Sequence, residues 1–245
     1  MTLIPDTVKQ NYLAVRRRVE QACSRVGRDP AEVTVVAVSK RQPKASILAA
    51  MEAGCLDFGE NRVQEWQEKQ ADLPSQIRWH FIGHLQRNKV RTIANRVAFL
   101  HSLDSLQLLA ELEKRAQVPH DVLLEVNLGG EEAKSGVPVD EVVDVSIACA
   151  KSKMARLVGL MCIPPYNEDP EAVRGFYTKL AALGDQVKAV LRILDQSLVP
   201  ELFHLSMGMT HDFEVAIEEG ATMVRVGTAI FGPRRPHHMV ENRRT

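Results

Sequence analysis

Apolar and polar positions change period repeatedly along the chain. Val33 to Ser39, "VTVVAVS", is a run of small, apolar or β-branched residues, the composition of a buried strand. From Lys44 to Ala53 the period lengthens: Ile47, Leu48 and Met51 share one helical face, and Gly54 supplies a C-terminal stop. The exchange then recurs. "CLDFGEN", "RWHFIG", "VAFLHSL", "DVLLEVN", "ARLVGLMC", "ELFHLSM" and "TMVRVGTAIFG" read as strands. Between them, "RVQEWQEKQADL", "LQRNKVRTIANR", "SLQLLAELEKRAQ", Val139 to Ser152, Pro170 to about Leu194 and "DFEVAIEEG" read as helices. Eight strands alternating with helices over about 200 residues predict an α/β fold of the (β/α)8 TIM-barrel type. An open doubly wound sheet would carry a glycine-rich turn after its first strand, and here that turn reads "SKRQPKAS". Before the first strand, Tyr12, Val15, Val19 and Cys23 form one stripe of an amphipathic helix expected to pack on the barrel. Residues 1–232 are thus assigned to the barrel with its N-terminal helix, and 233–245 to a polar, flexible tail.

Charge removes some function classes. Thirty-one Lys and Arg balance thirty-one Asp and Glu, so no global field recruits nucleic acid or an anionic membrane. The basic run Arg16 to Arg18 reads as a solvated helix face. Apolar runs fall short of the roughly 20 residues needed to span a bilayer, and "MTLIPDTVKQ" lacks a signal-peptide core, so a cytoplasmic protein is expected. Cys23, Cys55, Cys149 and Cys162 form no CxxC pair and read as reduced core thiols. A monomer is expected, with no large exposed apolar stripe evident.

In a barrel the chemistry gathers at the C-terminal ends of the strands. Lys40 stands at that end of the first strand. Alone, it reads first as a lysine snorkelling to solvent just past a buried strand. Partial burial would lower its pKa and supply an amine able to form an imine with an aldehyde or ketone. The last strand offers "VRVGTAIFG", where Gly227 permits close approach and Thr228 contributes a hydroxyl and an N–H at the start of a short helix. "HLSMGMTHDF" adds Ser206 and Gly208 from the neighbouring strand end, so two loops would clasp one phosphate. An imine-forming lysine facing such a cradle points to a phosphorylated aldehyde. Met223, Arg225 and Gly227 alternate with Val224 and Val226, which puts Arg225 inside the barrel. An interior guanidinium needs an acceptor, either an acid such as Glu125 or a cofactor ring nitrogen. Asn61, in "DFGENRVQE" beside Glu60 and Arg62, is placed to hydrogen-bond a phenolic oxygen or a ring edge, and Met207 and Met209 either line a ring or fill core. His80 and His84 do not share a helical face, so no metal is expected. Lys134, in "EEAKSGV", reads as part of a mobile loop that contacts anions or solvent.

"VAVSK", "FGENRVQE", "WHFIGHLQRNK", "HSLDS", "EVNLGGEEAKSGV", "GLMCIPP", "LSMGMTHDF" and "VRVGTAIFG", in this order from about Val33 to Gly232, resemble the YggS/PROSC family of pyridoxal 5′-phosphate homeostasis proteins. The resemblance implies a single barrel similar to the N-terminal domain of alanine racemase and of eukaryotic ornithine decarboxylase. It also implies pyridoxal 5′-phosphate as cofactor, with Lys40 as the Schiff-base lysine. Ser206, Gly227 and Thr228 would bind phosphate, Arg225 would face the pyridine nitrogen, and Asn61 would lie near the ring. His211, where a small residue is expected, and the basic tail depart from the pattern.

The family association implies control of vitamin B6 and amino-acid pools, with apo-enzymes that use the cofactor, or a regulatory protein, as partners. An amino-acid racemase or decarboxylase of this fold needs a further acid/base and usually a β-domain closing the site. About a dozen residues follow "IFG", so an open mouth and a carrier or regulator without turnover are expected. A class I aldolase also uses a barrel lysine, but usually from a later strand.

Overall fold

In the computed structural model, residues 4–130 and 135–233 are described. Eight parallel strands close on themselves: β1 (Thr34–Val38), β2 (Asp57–Glu60), β3 (Arg78–Phe81), β4 (Phe99–Leu103), β5 (His120–Asn127), β6 (Ala155–Met161), β7 (His204–Met209) and β8 (Met223–Val226). Pairing runs in chain order from β1 to β8, and β8 returns to β1 with Val36 opposite Arg225. A two-residue strand, Val137–Pro138, adds to β5 outside this circuit. The expected TIM barrel is therefore present.

Alternation along each strand sorts its side chains. Val35, Ala37, Phe58, Trp79, Phe81, Val122, Leu124, Val224 and Val226 point outward into the main core beneath the helices. Leu123, Met161 and Met223, with Phe99 and Val158, form a separate apolar cluster inside the barrel. Polar residues share that interior: Asp57, His80, His101, Glu125, Ser206 and Arg225 are all buried.

The helices are α1 (Pro5–Arg25), α2 (Lys44–Glu52), α3 (Val63–Gln70), α4 (Val90–Ile93), α5 (Leu106–Arg115), α6 (Val142–Ala150), α7 (Arg174–Leu194), α8 (Phe213–Glu218) and α9 (Thr228–Phe231). Helix α1 buries the expected stripe of Tyr12, Val15, Val19 and Cys23, together with Val8 and Ala22. It packs on α2, α8 and α9, filling the place that the short α9 leaves in the ring of helices. Its arginines depart from a purely solvated face. Arg18 forms a two-pronged pair with Glu214 at 3.1 Å and lies 4.5 Å over the Phe213 ring, and Arg16 donates to the Val33 carbonyl. Only Arg17 of the three is exposed. The helix expected over "LQRNKVRTIANR" shrinks to a 3-10 turn, Arg87–Lys89, and the single turn α4. Asn95, with φ of 68°, breaks it there.

Strand β7 differs most from the expectation. It begins at His204 and continues to Met209, past the glycine that the pattern suggested as its end. Gly208 has φ of +86° where the register against β8 shifts, and a Cβ there would meet Ala216 at 2.5 Å and Phe213 Cα at 2.9 Å. This glycine serves a bulge and the close approach of α8.

All four cysteines are free and buried, and burial pushes the Cys55, Cys149 and Cys162 thiols up to about 12. Among the described residues, no helix is long and apolar enough to cross a membrane. Lys134 and residues 234–245, and with them the readings of that loop and of the tail, lie outside the described residues.

Candidate functional site

Lys40 follows β1 directly and is half-buried in a tight turn. A buried ionic cluster grips the backbone on both sides of it. Lys69 of α3 donates 2.7 Å hydrogen bonds to the Ser39 carbonyl and to the carboxylates of Glu60 and Glu65. The Ser39 hydroxyl donates to Glu60 at 2.6 Å, and Glu65 accepts the Arg41 backbone N–H. Arg41 has φ of +62°, a left-handed conformation that a non-glycine residue adopts only when its surroundings hold it. Burial pushes the Glu60 carboxyl above its usual range, with Lys69 opposing. The sequence reading missed this clamp; its signal is the Glu60, Glu65, Lys69 spacing, which turns acid, acid and base toward one strand end.

The strands flanking β1 deliver the other candidates. Val38 pairs with Gly59 of β2, so Asn61 stands two residues on, level with Lys40. Asn61 is held from below, because a Cβ on Gly83 would meet its carbonyl at 2.5 Å and its own Cβ at 2.7 Å. On the other flank Gly227 is a neighbour of Val38, and Thr228, exposed, opens α9. Gly227 has an ordinary φ of −113°, and a Cβ there would meet only Val38, at 3.5 Å. Neither a positive φ nor close packing requires glycine at this point. The Gly227 N–H donates to the Thr210 hydroxyl at 3.2 Å, tying the loop after β7 to the start of α9.

Ser206 is displaced from its expected place. Because β7 runs on to Met209, Ser206 lies three residues inside the barrel, fully buried, and its hydroxyl is engaged by Arg225 at 2.6 Å and His101 at 2.8 Å. Thr210 holds the rim position instead. Met207, one residue from Ser206, faces the opposite way and is fully buried in the core under the helices, which is the core-filling alternative of its sequence reading and not the cofactor-lining one. Arg225 is inside the barrel, as its alternation predicted, but it does not pair with Glu125. It donates instead to Ser206 and, at 2.8 Å, to the Cys162 carbonyl, while Glu125 accepts the Ser135 hydroxyl at 2.8 Å. Burial pushes the Glu125 carboxyl up, Ser135 opposing, and pulls the Arg225 guanidinium down.

His80 and His84 do not meet at one site. His84 is exposed and bonds Asp104 at 2.8 Å, whereas His80 is enclosed in the barrel between His101 and Asp57. His211, the departure from the family pattern, is exposed and bonds the Glu168 carbonyl at 2.5 Å. Lys40, Asn61, Thr210, Gly227, Thr228 and Arg225 thus gather at one end of the barrel, supplying an amine, hydroxyl and N–H donors, and a buried cation.

Comparison with known proteins gives this geometry a context. Residues 9–235 match the family of the alanine racemase N-terminal domain. The pyridoxal phosphate homeostasis protein of Aquifex aeolicus is 43% identical over 225 residues, 90% of this chain and 96% of that relative. The protein of the same name from Pseudomonas aeruginosa is 40% identical over 94% of this chain and 96% of its own length. Among solved structures, Synechococcus elongatus PipY with pyridoxal phosphate bound is 32% identical, with a TM-score of 0.74 over 88% of this chain and all of PipY. Alanine racemase from Corynebacterium glutamicum, 17% identical with a TM-score of 0.71 over 95% of this chain and 63% of the racemase, shares the fold alone. By sequence over almost its whole length, the chain belongs to the pyridoxal phosphate homeostasis protein family, built on the alanine racemase N-terminal domain fold.

Proposed function

We propose that this protein binds pyridoxal 5′-phosphate reversibly at the barrel mouth and serves in the homeostasis of that cofactor. The reading is carried by the register of β8, β1 and β2, which brings Gly227, Lys40 and Asn61 side by side. The donor set fits the group. A phosphate dianion takes hydroxyl and N–H donors of the kind Thr210, Thr228 and the start of α9 present, and Gly227 lets it approach backbone closely. When bound, the cofactor supplies an aldehyde carbon that condenses with a lysine amine, releasing water.

Each residue then has a distinct task. Lys40 provides the amine, and the Lys69 cluster holds the turn that aims it. Asn61 faces the ring edge. Thr210, Gly227 and Thr228 hold the phosphate, while Ser206 acts beneath them by anchoring Arg225. Arg225 faces the ring nitrogen with N–H groups beyond the two its protein partners use. A guanidinium does not readily give up a proton, so the ring nitrogen stays unprotonated and the ring is a weaker electron sink than one paired with a carboxylic acid. That choice suits holding the cofactor better than driving carbanion chemistry.

We therefore assign the role of a carrier or regulator, with enzymes that use the cofactor, or a protein that regulates them, as partners. Retention of pyridoxal 5′-phosphate through gel filtration, lost in Lys40→Ala, tests the binding. Sustained α-proton exchange of D- or L-alanine at enzyme-like rates would instead make the protein a catalyst.

A further inference from the structure

Six side chains form one continuous hydrogen-bonded line through the barrel interior. From the mouth downward it runs Arg225 to Ser206 (2.6 Å), Ser206 to His101 (2.8 Å), His101 to His80 (2.8 Å) and His80 to Asp57 (3.0 Å). At the far rim Arg78 closes it, with its Nε 2.8 Å from Asp57. Ser206, His101 and His80 are fully buried, so water does not relieve a mismatched donor along this stretch.

The two ends fix the direction of everything between them. Arg225 has only donors, so Ser206 Oγ accepts from it. An ionised Asp57 has only acceptors, so His80 must present Nε2–H to it. Burial alone would raise the Asp57 carboxyl, but hydrogen bonds from His80 and Arg78 outweigh burial and hold it below the usual carboxylate range. Burial likewise pulls both imidazoles below their usual 6.5, His101 well below, which keeps them neutral. A neutral His80 with its proton on Nε2 has a bare Nδ1, which accepts from His101 Nε2–H. His101 Nδ1 is then bare as well, and the Ser206 hydroxyl donates to it. Only one arrangement satisfies all the contacts with both rings neutral.

We propose that Asp57, at the rim opposite the cofactor mouth, is a positioning residue for Arg225: it sets the tautomers of His80 and His101 and thereby turns a Ser206 lone pair toward the guanidinium. That Arg225 in turn faces the cofactor ring rests on the function proposed above. The line is a fixed polar strut; reversing it would leave a bare His80 Nε2 against Asp57 and so would require a proton on that carboxylate, and the Ser206 hydroxyl hydrogen would lose its acceptor on His101.

The test is long-range 1H–15N spectroscopy of the histidine rings in the full chain, with and without pyridoxal 5′-phosphate, assigned by His80→Gln and His101→Gln. Both rings are expected neutral with the proton on Nε2. A proton on Nδ1 of either ring, or an imidazolium at neutral pH, would overturn the proposal. In Asp57→Leu, which removes the acceptor that an asparagine amide oxygen would keep, the tautomer signals should change and the dissociation constant for pyridoxal 5′-phosphate should rise about tenfold, the scale of one hydrogen bond to a charged group. Arg78→Lys, which keeps the aspartate ionised, should leave the tautomers in place. Unchanged signals and unchanged retention in Asp57→Leu would also refute it; if that variant does not fold, the wild-type tautomers still decide. Failure of the cofactor reading is separable: wild-type protein would then take up no pyridoxal 5′-phosphate at Lys40, while the ring signals of the apo-protein remain readable.

Discussion

At the residue scale, a shift of four positions along one strand end decides chemistry. Ser206 on β7 and Thr210 just past its end both carry hydroxyls, but Thr210 meets the Gly227 N–H at the rim and Ser206 meets Arg225 and His101 inside. Thr210→Val should therefore weaken cofactor binding about tenfold or more, since a hydrogen bond to a charged group contributes roughly 1.5–3 kcal/mol. Equilibrium dialysis with pyridoxal 5′-phosphate measures it, and an unchanged constant would remove Thr210 from the phosphate grip. Met207→Ala separates core from site. It should cost about 2–5 kcal/mol in urea unfolding, as large-to-small changes in packed cores do, and leave cofactor retention near that of the wild type once the protein is folded. The alternation of Met223, Arg225 and Gly227 was legible from sequence because the neighbouring positions are valines. The place of Ser206 was not. Gly208 looks like a strand end in a string of letters, whereas its positive φ makes a bulge that the strand passes through.

At the element scale, α3 is more than a cover for the sheet. Its Glu65 and Lys69 reach across to the turn that carries Lys40, and Glu60 of β2 completes the cluster. Removing one member leaves buried charge uncompensated. Lys69→Met should cost about 3–5 kcal/mol, read from the urea midpoint, and should slow the trapping of pyridoxal 5′-phosphate on Lys40. A midpoint within experimental error of the wild type would show that the cluster holds nothing. Strand and helix order was readable throughout, because buried strands flanked by amphipathic helices leave a strong change of period. Cross-element ion clusters were not, since acids and bases spaced along "ENRVQEWQEK" also describe an ordinary solvated helix. Docking of α1 was anticipated from its stripe, but not that Arg18 would tie it to α8.

At the scale of the whole molecule, a barrel interior holding neutral histidines ties stability to pH. Burial lowers the folded-state pKa of His80, His101 and His204 inside the barrel, and of His120 on the outer face of β5, below the ordinary 6.5. Between the folded and unfolded values the unfolded chain binds more protons, so stability is fully present above about pH 6.5 and falls as the pH drops below it. Each such histidine contributes up to about 1.4 kcal/mol per pH unit in that window. Urea midpoints at about pH 7.5 and 5.5 should therefore differ, with the lower value at the lower pH, and His101→Gln should reduce the difference. A midpoint that rises on acidification would mean that these rings are charged in the folded protein.

In the proposed function everything depends on the amine at the end of β1 carrying the cofactor. The most direct measurement is borohydride reduction of the protein loaded with one equivalent of pyridoxal 5′-phosphate, followed by proteolysis and mass spectrometry. A single reduced adduct on the peptide containing Lys40 is expected. An adduct on another lysine with Lys40 unmodified, or no adduct at all, would contradict it.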